Sequence, residues 1–225
     1  MTKTIGTVRK IGLATAVSGL VLGAASLQAE QFTATATIQN TVAVENLQNM
    51  DFGILFASGA NNKAVAGLKL SPTGDITGVT GLVVDGASDP TDAPQFLSLG
   101  EGVPARGRIA SGLDVTISVP AFKSDELASG AAWDATKGVP LSVNADNTEP
   151  RFFLVDFDVD DVDGGTVSAG GNPGEFVIDA SFGVETIEFG IGATIYTDGG
   201  AGDGTIAENY QAAVYTGTFE VEASY

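Results

Sequence analysis

The chain has 225 residues, no histidine and no cysteine, and 28 acidic against 10 basic residues, a formal charge of −18. The two absences remove Ser-His-Asp and Cys-His catalysis, histidine acid–base chemistry, disulfides, and zinc sites built on His or Cys, which leaves carboxylate chemistry and oxygen-ligated cations. The charge argues against nucleic acid and anionic lipid surfaces as partners.

Residues 1–29 carry Lys3, Arg9 and Lys10, then an apolar run from Ile11 to Leu27, then a small residue, Ala29, before Glu30. This is the layout of a cleaved secretory signal. The run is diluted by Thr15, Ser18, Gly19 and Gly23 and is short for a span of about 20 residues, so no stable membrane anchor is expected. Cleavage after Ala29 leaves 196 residues, room for a single β domain over 30–225. Three of the ten basic residues leave with the signal, so seven face 28 acidic ones, a formal charge of −21. Such a surface keeps an exported protein soluble and attracts cations.

From Gln31, F-T-A-T-A-T-I puts Phe32, Ala34, Ala36 and Ile38 on one face of an extended chain and threonines on the other. N-L-Q-N-M-D-F-G-I-L-F follows, with Leu47, Met50, Phe52, Ile54 and Phe56 as core candidates around Gly53. Val65–Leu70 reads as a short strand, and residues 71–102, with three prolines and several glycines, as a loop-rich insertion with small strands near Leu82–Val84 and Phe96–Leu99. In L-D-V-T-I-S-V-P, Leu113, Val115, Ile117 and Val119 alternate with polar residues until Pro120 stops the strand. Trp133, the one tryptophan, sits in an aperiodic stretch and reads as a loop anchor over the core edge. R-F-F-L-V-D-F-D-V-D alternates with Phe153, Val155, Phe157 and Val159 inward and Asp156, Asp158 and Asp160 outward. Strands are expected at Phe176–Ala180 and at Val184–Tyr196, the latter burying Ile187, Phe189, Ile191, Ala193 and Ile195. In Y-T-G-T-F-E-V-E-A-S-Y, Tyr215, Gly217, Phe219, Val221, Ala223 and Tyr225 share one side. With no helical stripe beyond the signal, the pattern predicts an all-β sandwich or small barrel.

For an enzyme, carboxylate pairs such as Glu185 and Glu188 would have to serve, and among 28 acids some such pair is inevitable, so the chain reads as non-enzymatic. Calcium is the one cofactor the residue types admit. Asp156, Asp158 and Asp160 fit either a solvated strand face or a loose calcium site, because the EF-hand register fails at Asp161, where glycine is needed.

The strand of small residues followed by N-M-D-F-G at Asn49–Gly53, the central L-D-V-T-I-S-V-P, and F-G-I-G-A-T-I-Y through Y-T-G-T-F-E-V-E-A-S-Y together resemble a family of exported bacterial β domains. That family is similar to spore coat protein U and to the pilins of archaic chaperone-usher systems. The resemblance implies an immunoglobulin-like β-sandwich of short antiparallel strands and a structural or adhesive role at the surface of a Gram-negative envelope. It further implies identical subunits, a periplasmic chaperone and an outer-membrane usher as partners, with each subunit completed by a neighbour's strand. In those roles Phe32, Ala34, Ala36 and Ile38 match the donor strand, and Tyr215, Gly217, Phe219, Val221 and Tyr225 the edge of the accepting groove. The chain departs from many such pilins in placing its aromatic at Tyr225 rather than one residue earlier, and in lacking a cysteine pair. The other reading is a self-contained secreted acidic binding domain.

Overall fold

In a computed structural model, the described residues are 41–59, 64–83, 94–129, 132–144, 149–163, 165–179, 186–199 and 209–225. All lie in the unit formed by residues 38–225; the other unit, residues 1–37, and with it the signal pattern, falls outside them. The strands are β1 (Thr41–Val42), β2 (Glu45–Gln48), β3 (Leu55–Ala57), β4 (Ala64–Leu70), β5 (Ile76–Val83), β6 (Phe96–Ser98), β7 (Ala105–Ile109) and β8 (Val115–Ser118). They continue as β9 (Ala128–Ser129), β10 (Ala132–Trp133), β11 (Val139–Leu141), β12 (Phe152–Asp161), β13 (Val167–Ala169), β14 (Glu175–Ile178), β15 (Ile187–Thr197) and β16 (Glu222–Ser224). The helix α1 is a single turn, Ser124–Leu127. The fold is all-β and sandwich-like, as the alternating strands and Gly/Pro turns predict.

One sheet runs β1-β16-β8-β14-β13 and the other β11-β12-β15-β4-β5, all antiparallel. β15 is the spine of the second sheet. One edge pairs with β12 throughout; the other takes β7 along Ile187–Ile191 and β4 along Ala193–Tyr196. The main core lies between the sheets, where Val115, Ile117, Ile178 and Ala223 meet Leu68, Leu70, Phe152, Leu154, Phe189, Ile191 and Ile195. A second cluster, Val65, Leu127, Phe153, Val155 and Tyr196, is packed against Trp133. Trp133 meets Phe153 edge-on at 5.4 Å, so it does anchor a loop over the core edge. With apolar clusters on both faces, the middle of this sheet reads as unbroken apolar runs, as in strands covered on both sides.

Four expectations change. In β12, simple alternation would put Leu154 outside and Phe153, Val155, Phe157 and Val159 in one row. Instead the register shifts between Val155 and Asp158, and Asp156 takes φ 48°, a bulge that reverses which face the following residues occupy. Phe152 and Leu154 therefore join Phe157 and Val159 in the main core, while Phe153 and Val155 face the second cluster. Gly53 acts alike. Its φ of 70° and its N–H, donated to Asp51 Oδ1 at 2.8 Å, turn the chain, and a Cβ there would lie 2.6 Å from the Glu101 carbonyl oxygen. Inward positions move from Met50 and Phe52 to Leu55 and Ala57, which leaves Ile54 and Phe56 exposed; Leu47 is exposed too, on β2, which among the described residues pairs with β7 alone. Leu113 is likewise exposed, because β8 begins only at Val115 and Leu113 belongs to the turn held by Ser111. Within 71–102, β5 starts at Ile76 and pairs with β4 over most of its length, a longer strand than the insertion predicts.

Candidate functional site: a groove where the end strands part

β1 and β16 pair antiparallel, Thr41 opposite Ser224 and Val42 opposite Ala223. Were that ladder to continue, Val44 would oppose Val221 and Gln48 would oppose Gly217. It does not continue. β2 crosses to the other sheet and pairs with β7, Glu45 opposite Arg108 and Asn46 opposite Gly107, and Gln48 Nε2 donates to the Pro104 carbonyl at 2.7 Å. On the other side, Thr216 exchanges two 3.0 Å hydrogen bonds with Ser142 beyond β11. Among the described residues no ladder runs beside Gly217–Val221.

Between the parted strands lies a groove of about 1320 Å³. Its walls are Val44–Ala57 and Tyr210–Val221; Phe152, Leu154, Phe189, Ile191 and Ile195 contribute the floor. This is larger than the roughly 300–1,000 Å³ of a typical small-molecule pocket. Its floor is apolar, and no ladder occupies the Gly217–Val221 wall among the described residues, so its chemistry suits a strand with alternating apolar side chains.

The wall Tyr210–Val221 is pinned at three places. Phe152 stacks between Phe96 at 5.3 Å and Tyr210 at 4.5 Å, with Tyr215 edge-on at 4.9 Å. The Tyr210 hydroxyl accepts from the Asp198 N–H at 2.7 Å and donates to the Arg151 carbonyl at 3.3 Å. Buried Asp198 in turn takes the Arg151 N–H on Oδ2 at 3.1 Å. Enclosure pushes the Tyr210 phenol far above its ordinary value, an effect that the Asp198 backbone hydrogen bond partly offsets. Gly217 is the second pin: a Cβ would collide with the Pro140 carbonyl oxygen and the Leu141 side chain, so only glycine allows this close crossing. Phe219 is the third, packed on Phe157 at 5.0 Å.

Of the predicted groove-edge residues, Tyr215, Phe219 and Val221 are half-buried and, with Gly217, line the groove. Tyr225 does not: it lies past the last paired residue, Ser224, and is 55% exposed. The expected single strand is also shorter, since only Glu222–Ser224 pairs as one. The donor candidates Phe32, Ala34, Ala36 and Ile38 lie outside the described residues, as does Glu185. The calcium candidates are not gathered on one ligand position. Asp156 Oδ1 accepts from the Ser124 N–H at 3.2 Å, Asp158 pairs with Lys69 at 3.2 Å, and Asp160 Oδ1 accepts from the Asp161 N–H at 3.0 Å. Among the described residues no group of three or more acidic side chains is placed to hold a metal. Glu188 is bonded to Arg108, which Glu45 also approaches at 3.7 Å. The sequence pattern marks one wall of the groove and carries no signal for the other wall, the floor or the Arg151–Asp198–Tyr210 latch. Comparison of the chain with known protein families, with curated proteins and with solved structures gave no match.

Proposed function

We propose that the protein is an exported, non-enzymatic structural subunit of the cell surface, whose groove receives an extended strand from a second copy of the chain. In this reading Phe32, Ala34, Ala36 and Ile38 of the neighbour enter beside Gly217–Val221, and a periplasmic chaperone and an outer-membrane usher handle the subunit before assembly. The observation that carries it is the parting of β1 from β16 at Val44, which opens an apolar groove along Gly217–Val221, where no ladder runs among the described residues. The direction of β1 adds support. In its antiparallel register β1 runs from Thr41 opposite Ser224 to Val42 opposite Ala223, so its first residue is the end farther from Gly217–Val221.

The test uses the mature chain from Glu30. Size-exclusion chromatography and unheated SDS gels should show ladders, because a strand bonded along its whole length leaves only when the sandwich unfolds. Deleting residues 30–39 should abolish the ladders and yield a subunit that captures a synthetic peptide of residues 31–39. A concentration-independent monomer that ignores the peptide would remove this reading and favour a self-contained secreted binding domain.

A further inference from the structure

The short ribbon β3–β6 carries an apolar face that the core does not use. Leu55 opposes Ser98, Phe56 opposes Leu97 and Ala57 opposes Phe96, and the Leu99 N–H donates to the Ile54 carbonyl at 2.8 Å, so Ile54 and Leu99 continue the register. Directly opposed residues of an antiparallel pair share a face, so Leu55, Ala57, Phe96 and Ser98 point one way and Ile54, Phe56, Leu97 and Leu99 the other. The first set is buried or half-buried. The second is exposed by 69%, 44%, 53% and 65% respectively. No charged residue occurs in 52–59 or 94–100 to interrupt it. Four neighbouring large apolar side chains on a chain this acidic form a contiguous patch of the kind that marks an interaction surface.

We infer that this ribbon face is a second contact for the copy of the chain whose strand enters the groove, an inference that rests on the function proposed above. Area selects the occupant. Four such side chains offer roughly 300–600 Å², short of the roughly 800 Å² per partner in a standard stable interface, so the patch alone cannot retain a freely diffusing protein. It can retain one already tethered nearby, because a short tether supplies an effective concentration in the millimolar range. The groove provides that tether: Ile54–Ala57 form part of its wall and are at the same time the first strand of the ribbon and the residues leading into it, so a copy seated in the groove adjoins this face.

The chain has no cysteine, so single-cysteine variants report without background. Leu97→Cys and Leu99→Cys, made in the mature chain, are treated with a maleimide before and after assembly, with Thr73→Cys on the exposed turn between β4 and β5 as the control. Labelling at 97 and 99 should slow at least ten-fold in the ladder fractions relative to monomer, and labelling at 73 should not change. Leu97→Ser/Leu99→Ser should slow ladder formation several-fold while leaving capture of the 31–39 peptide by the strand-deleted chain as in the parent. Equal labelling of ladders and monomer, or wild-type assembly by the double variant, would overturn the ribbon contact and leave the groove reading standing. Absence of both ladders and peptide capture in the parent would overturn the groove reading and this inference together. Protection of monomer at 97 and 99 by anionic vesicles would overturn it in favour of a membrane contact.

Discussion

The bulge at Asp156 makes a prediction that strand alternation contradicts. If β12 alternated without interruption, Leu154 would share the outward face of Asp156 and Asp158, and Leu154→Ala would change stability by no more than about 0.5 kcal/mol. Instead Leu154 is only 3% exposed and packs in the main core with Phe152 and Phe157. Truncating a buried leucine costs about 2–5 kcal/mol, the transfer of the lost methyls plus the cavity left behind. For a domain of this size, about 3 kcal/mol corresponds to roughly 6–12 °C in Tm. Phe153→Ala should cost about 3–5 kcal/mol through the other cluster. It should also change Trp133 emission, because that ring lies 5.4 Å from Phe153; Leu154→Ala should not. Urea titrations followed by circular dichroism and by tryptophan fluorescence separate the two. A Leu154→Ala midpoint within a few tenths of a kcal/mol of the parent, at unchanged m-value, would refute the face reversal and with it the two-cluster description of this sheet.

Alkaline pH should destabilise the fold through Tyr210. Its folded pKa is raised by burial, so the contribution to stability is intact below the ordinary value of 10.0 and is lost as pH climbs above it, at about 1.4 kcal/mol per pH unit. Tyr210→Phe should remove about one such unit of slope in unfolding titrations between pH 10 and 12; an unchanged slope would count against the latch. Gly53→Val should cost about 1–3 kcal/mol, since a β-branched residue must adopt φ 70° with its Cβ against the Glu101 carbonyl, whereas Gly53→Asn should cost less; equal Tm values for the two would contradict the turn. Arg108→Ala should change the unfolding midpoint only slightly despite two carboxylate partners, because the guanidinium is part-exposed and screened, and the loss should shrink in 1 M salt.

Much of the sandwich was legible because burial and period coincide. Ile187, Phe189, Ile191, Ala193 and Ile195 alternate as predicted, although the residues between them are also buried, or half-buried at Glu188, because both faces of β15 are covered. Where one residue breaks the period, pattern reading loses the face. Asp156 does so in β12 through a conformation uncommon for a residue other than glycine, and Gly53 does so before β3. β5 is hard to see in the sequence because Thr77, Gly78, Thr80 and Gly81 give little apolar signal, and a strand at the edge of the described sheet needs none. The groove was half legible. Tyr215, Phe219 and Val221 announce one wall by alternation, but the opposite wall begins with A-V-E-N-L-Q, whose apolar and polar residues follow no period of two, and the parting of two segments some 175 residues apart leaves no local trace.

Why the end strands part has an electrostatic account. Extending the β1–β16 register would set Glu45 directly opposite Glu220, and like charges facing one another across a ladder destabilise it by a fraction of a kcal/mol. Crossing to β7 instead sets Glu45 opposite Arg108, with 3.7 Å between the charged groups. Both glutamates are exposed, so each term is small, but they favour the same outcome: an open groove. Glu220→Lys reverses the first term and offers Glu45 a competing partner, a combined change of about 0.5–1 kcal/mol and hence roughly two- to five-fold in the balance between parted and zipped strands. In the chain lacking residues 30–39, the variant should capture the 31–39 peptide about two- to five-fold more weakly, and the amides of Gly217–Val221 should exchange with solvent more slowly as the ladder closes over them. Glu220→Gln, which removes the repulsion without adding a partner, should fall between. Peptide capture and amide exchange equal to the parent in both variants would show that packing at Gly217 and Phe219, and not the charges, holds the groove open.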